Sequence, residues 1–133
     1  MTAVQVYVAA RAEMLSEAQA ALAAALQHNG VTLTWSPIGQ KHHTETAPLL
    51  MTSHGVLRFE DASTYHSMET SFALGDGSWD GDGRPLRERP LLVFAYTDGR
   101  EDLRSWIWRD ERIIKLPTDP AAAARQLAAA LSA

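Results

Sequence analysis

The sequence predicts an α/β domain built on a parallel sheet with helices on both faces. Three observations carry this. Strand-like and helix-like segments alternate about five times along the chain, the pattern of βαβ units. Leu91 to Tyr96 reads LLVFAY, a near-continuous apolar run expected of a parallel strand covered on both faces. Gly55 to Gly75 reads GVLRFEDASTYHSMETSFALG. Val56, Leu57 and Phe59 form a buried strand there, a polar turn follows, and a short helix comes next.

The elements follow in order. Val4 to Ala10, VQVYVAA, is small and β-branched and gives the first strand. Ser16 and Gln19 have capping-box spacing, so a helix starts there. Leu15, Ala18, Leu22 and Leu26 give that helix its buried stripe. Asn29-Gly30 stops it, because glycine tolerates the left-handed turn after a helix. Val31, Leu33 and Trp35 alternate with Thr32 and Thr34, which is the period of a second strand, and Pro37 ends it. Residues 36–47, SPIGQKHHTETA, read as a loop, and a short helix or turn is expected over Ala47 to Ser53. After the third strand, Glu60, Asp61, Ser63 and Thr64 supply turn and N-cap chemistry. Tyr65, Met68 and Phe72 then recur at helical spacing. Glu69 lies one turn from both Tyr65 and Phe72 and borders that apolar face.

Gly75 to Pro90, rich in Gly and Asp, reads as a surface insertion. Past the LLVFAY strand, Thr97-Asp98-Gly99 turns the chain and a short helix is expected over Glu101 to Ser105. Ile113, Ile114 and Leu116 belong to a last strand, stopped by Pro117. Thr118-Asp119-Pro120 opens the final helix, held down by Leu127 and Leu131. The predicted topology is flavodoxin-like, a three-layer sandwich with a five-stranded parallel sheet of order 2-1-3-4-5. Its switch crevice lies between the first and third strands. Arg11, Glu60, Asp61 and the Glu69 helix would converge there.

Length and composition narrow the function. Residues 1–133 are read as a single domain with a useful core. The formal charge is −4 and no basic cluster occurs, so nucleic acid is not an expected partner. The absence of cysteine excludes disulfides, thiolate metal sites and thiol catalysis, and fits a cytoplasmic protein. The start of the chain has no signal-peptide pattern, and no apolar run approaches the ~20 residues of a membrane span.

Several chemistries fail on spacing. No P-loop, no Gly-rich dinucleotide fingerprint and no Gly-x-Ser-x-Gly elbow occurs, so no cofactor is expected. The receiver-domain pattern fails too, although Lys115-Leu116-Pro117 faintly resembles its last-strand lysine. Asp76, Asp80 and Asp82 do not match a calcium loop. His42, His43 and Glu45 lack a clear third zinc ligand, and no metal is expected. His54 reads as structural. Trp106 and Trp108 read as packing or interface residues, and Trp79 as a ligand lid or a subunit contact.

Taken in order, these segments resemble the nucleoside 2-deoxyribosyltransferase-like family of Rossmannoid proteins, which includes nucleoside and nucleotide N-glycosidases. The likeness is carried by VYVAARAEMLSEAQAALAAALQHNGVTLTW, by GVLRFEDASTYHSMETSFALG with its Ser67-Met68-Glu69-Thr70-Ser71-Phe72-Ala73 core, by RPLLVFAYTD and by LRSWIWRDERIIKLPTD. This chain has Ser63-Thr64-Tyr65-His66 where the family usually has a Gly-rich turn, and His54 where an Asp commonly precedes the strand.

The resemblance implies a small-molecule nucleoside or nucleotide ligand and homo-oligomeric assembly. It also implies cleavage of an N-glycosidic bond, or deoxyribosyl transfer, with Glu69 as nucleophile. Asp61, then Glu45, are the candidates to protonate the leaving base. Tyr7 would orient Glu69. Arg11 would meet a 5′-phosphate, or else is a solvated charge. Ala9, Ser63, His66 and Trp79 would line the ligand. Two other readings stand beside this one: a catalytically silent nucleotide-binding or sensing module, and a TIR-like NAD glycohydrolase. The alternative for Glu69 is a partly solvated helix carboxylate.

Overall fold

A computed structural model of the chain describes residues 4–10, 15–35, 47–59, 91–97 and 111–132. Five parallel strands form one sheet: β1 (Val4–Ala9), β2 (Val31–Trp35), β3 (Gly55–Phe59), β4 (Leu92–Tyr96) and β5 (Ile114–Lys115). Their order is β2-β1-β3-β4-β5, as the sequence predicts. Three helices are described: α1 (Glu17–His28), α2 (Ala47–Thr52) and α3 (Pro120–Ser132).

The local chemistry of α1 is that anticipated from its ends. Ser16 Oγ accepts from the Gln19 N–H at 3.2 Å, and Gln19 Oε1 accepts from the Ser16 N–H at 2.9 Å. This reciprocal box satisfies two donors that the first turn would otherwise leave open. It also explains why Gln19 is buried, at 1% exposed, on a face otherwise carried by Leu22, Ala23 and Leu26. Leu15 and Ala18 are half-buried at its margin. At the other end Asn29 caps the helix, its Nδ2 donating to the Ala25 carbonyl at 2.7 Å. Gly30 then takes φ +81°, the left-handed conformation that disfavours a Cβ.

The pleat divides the core in two. Val6 and Val8 of β1, Leu57 and Phe59 of β3, and Phe94 and Tyr96 of β4 point to one face. There they meet Leu22 and Leu26 of α1 and Ala123, Ala124 and Leu127 of α3. Phe59 and Tyr96 pack edge to face, with centroids 6.1 Å apart. Tyr7, Ala9, Val56, Val93 and Ala95 point to the opposite face, with Leu50 of α2, Leu91 and Ile113.

α3 starts as its residues require: Pro120 at the first position and Asp119 Oδ2 accepting from the Ala122 N–H at 3.0 Å. The Tyr96 hydroxyl donates to the Thr118 carbonyl at 2.8 Å, tying β4 to the entry of α3.

Several boundaries differ from the sequence reading: β4 begins at Leu92 and not Leu91, and α2 ends at Thr52 and not Ser53. β1 ends at Ala9, and Ala10 bends away. β5 holds only Ile114 and Lys115, because the chain approaches β4 briefly before Pro117, which lacks an N–H. Ile113 and Leu116 are nevertheless buried on either side of it. The expected helices around Glu69 and over Glu101 to Ser105, and the insertion from Gly75 to Pro90, lie outside the described residues.

Candidate functional site

Strand order fixes where to look. β1 leads through α1 to β2 on one side, and β3 lies on the other side of β1, so the chain reverses its winding between β1 and β3. Open α/β sheets bind ligands outside the carboxyl ends of the strands at such a reversal.

Two hydrogen bonds join Gln5 of β1 to His54, just before β3, at the opposite end. The His54 N–H donates to the Gln5 carbonyl at 2.8 Å. The Gln5 N–H donates to His54 Nδ1 at 2.9 Å. The imidazole thus stands in for a backbone acceptor just before the ladder begins at Val6↔Gly55. That is a structural role for His54, in agreement with its sequence reading. Ser53 helps by ending α2, its hydroxyl donating to the Leu49 carbonyl at 2.8 Å.

From that start the ladder runs Tyr7↔Val56, Val8↔Leu57 and Ala9↔Arg58. Tyr7 is fully buried on the α2 face, one pleat below Ala9. Ala9 stands at the carboxyl end of β1, beside Arg58. The structure therefore brings the two described site residues, Tyr7 and Ala9, onto one face of one strand at the switch point. Arg11, Glu45, Asp61, Ser63, His66, Glu69 and Trp79 lie outside the described residues. So do His42, His43, Asp76, Asp80 and Asp82. Among the described residues, no group of three or more His, Asp or Glu side chains could hold a metal. No described helix is long and apolar enough to cross a membrane.

Arg58 is a buried charge that the sequence reading passed over. It is 3% exposed, in a strand whose other members are Gly, Val, Leu and Phe. Burying a guanidinium is costly unless hydrogen bonds satisfy its donors, so such residues are rare inside sheets. The register continues from Arg58 to Ala95 on β4 and from Ala95 to Lys115 on β5. The Leu116 N–H donates to the Ala95 carbonyl at 2.9 Å and fixes that last pairing. Arg58 and Lys115 are the two charged residues in the described strands. Both are basic, both share one row across the sheet, and both stand at the carboxyl ends. Compared with protein-family models, with curated proteins and with solved structures, the chain matches none.

Proposed function

We propose that the chain binds a nucleoside or nucleotide at the β1–β3 crevice and cleaves its N-glycosidic bond through Glu69. The observation that carries the reading is the switch point itself, with Ala9 and Arg58 paired across it and Tyr7 one pleat below. Arg11 follows the end of β1 by two positions, and Asp61 follows the end of β3 by two. The choice of reaction is supported by the Ser67-Met68-Glu69-Thr70-Ser71-Phe72-Ala73 pattern and its resemblance to nucleoside 2-deoxyribosyltransferase-like proteins.

The Glu69 carboxylate attacks the anomeric carbon as the C–N bond breaks, giving a glycosyl ester and a free base. The base leaves with a proton from Asp61 or Glu45. Water, or a second base, then attacks the ester and restores the carboxylate. Positive charge that develops on the sugar in each step is stabilised by the adjacent carboxylate.

The test is incubation of purified protein with deoxynucleosides, their 5′-monophosphates and NAD, with free base read by chromatography. Base release from a nucleoside or nucleotide that falls at least about 100-fold in Glu69→Gln is the expected result. Thermal stabilisation by a ligand without base release would instead favour the silent binding module, and turnover of NAD alone would favour the NAD glycohydrolase.

A further inference from the structure

The hydrogen bonds of a parallel ladder join peptide groups, which do not titrate in the physiological range. One bond at the join between β1 and β3 is different. Gln5 commits both of its backbone groups to His54: its carbonyl accepts from the His54 N–H at 2.8 Å, and its N–H donates to the imidazole Nδ1 at 2.9 Å. The first bond is indifferent to protons. The second needs a free lone pair on Nδ1, so the ring must be neutral with its proton on Nε2. Protonation puts an N–H on Nδ1, and two donors then face each other across 2.9 Å. The ring must swing away from such a contact.

His54 is exposed, so protons reach it. Among the described residues, β1, α2 and β4 hold no Asp, Glu, His, Lys or Arg. Their titratable side chains are Tyr7 and Tyr96, both buried, and phenols titrate near pH 10. Arg58 stands four positions later, at the carboxyl end of β3. α3 brings Leu131 to Gly55, and its charged residue, Arg125, lies six positions earlier, roughly 9 Å along the helix. α1, with Glu17 and His28, packs against β2 and α3, and Lys115 of β5 pairs with the carboxyl half of β4. The corner itself has a task. Ser53 and His54 connect α2 to β3, and Leu50 of α2 shares a core cluster with Tyr7 and Val56.

We infer that His54 is an acid-sensitive latch at the α2–β3 corner. With a neutral ring it pins the start of β1 to that corner. With a charged ring the Gln5 N–H is released and the corner opens locally. The stability that the latch contributes is present at the alkaline end of the histidine range, about pH 8, and is lost as pH falls toward about 5. The latch works without ligand and stands apart from the nucleoside reading.

Nuclear magnetic resonance on the full chain tests it with two readouts. Ring ¹⁵N shifts at pH 8 are expected to show His54 with its proton on Nε2 and Nδ1 accepting. Amide exchange, corrected for its intrinsic pH dependence, is expected to show the protection of Gln5 falling roughly 3- to 10-fold from pH 8 to pH 5, the ratio that one net hydrogen bond supports. Leu26 and Leu127 are expected to hold their protection. His54→Asn offers a side-chain oxygen that accepts but does not titrate, and it keeps the other four histidines. Its Gln5 protection is expected to stay flat over the same range. A proton on Nδ1 at pH 8 overturns the latch, and so does wild-type Gln5 protection that stays constant. A fall of equal size in His54→Asn, or one shared by Leu26 and Leu127, overturns it too. Circular dichroism tells whether His54→Asn folds; if it does not, the two wild-type readouts decide alone.

Discussion

Gly55 sits in close contact with Leu131 of the covering helix α3 and with neighbouring β4. A Cβ there would lie 3.2 Å from the Leu92 carbonyl oxygen, 3.3 Å from Leu131 Cδ2 and 3.3 Å from Phe94 Cε2. The leucine tip can move, but the backbone oxygen and the buried ring cannot easily do so. Alanine would gain about 0.5–1 kcal/mol from a less flexible unfolded chain. Overpacking costs about 1–3 kcal/mol, so overpacking wins. Gly55→Ala is expected to lower stability by a net of about 1 kcal/mol, read as a fall in the urea midpoint with an unchanged slope. At this same scale the sequence reading was least complete. Arg58 stands in the sequence between Leu57 and Phe59, and an apolar-run reading of that strand passes over one charge. Only burial gives it meaning, and burial is a tertiary fact.

Short-range chemistry made the helices legible. Ser16 and Gln19 are three positions apart, and one hydrogen bond in each direction is all a capping box needs. Ser16→Ala is expected to cost about 1 kcal/mol, read as a fall in thermal midpoint. Asp119→Ala removes the acceptor for the Ala122 N–H and belongs to the same range. The Asn29-Gly30 stop and the Asp119-Pro120 start were readable for the same reason: each is complete within a few residues. β5 was less legible. Ile113, Ile114 and Leu116 are all apolar, and nothing local says that only Ile114 and Lys115 meet the β4 ladder. Its length is decided by where β4 ends and by Pro117, so its boundaries come from the neighbouring strand.

The strand order followed from the alternation of periods along the chain, because parallel strands need crossovers and crossovers need helices. The row Ala9–Arg58–Ala95–Lys115 did not follow. Arg58 and Lys115 are 57 positions apart in sequence, and only the order β1-β3-β4-β5 with its register aligns them. At the scale of the whole molecule, the proposed function requires that ligand engage the carboxyl ends of the strands and leave the amino ends untouched. Amide chemical shifts of isotopically labelled protein, titrated with a deoxynucleoside 5′-monophosphate, test it most directly. The account predicts shifts concentrated at Ala9, Ala10, Phe59, Thr97 and Leu116, with Val4, Val31, Gly55 and Leu92 unmoved. Shifts confined to that second set, or none at millimolar nucleotide, would contradict it.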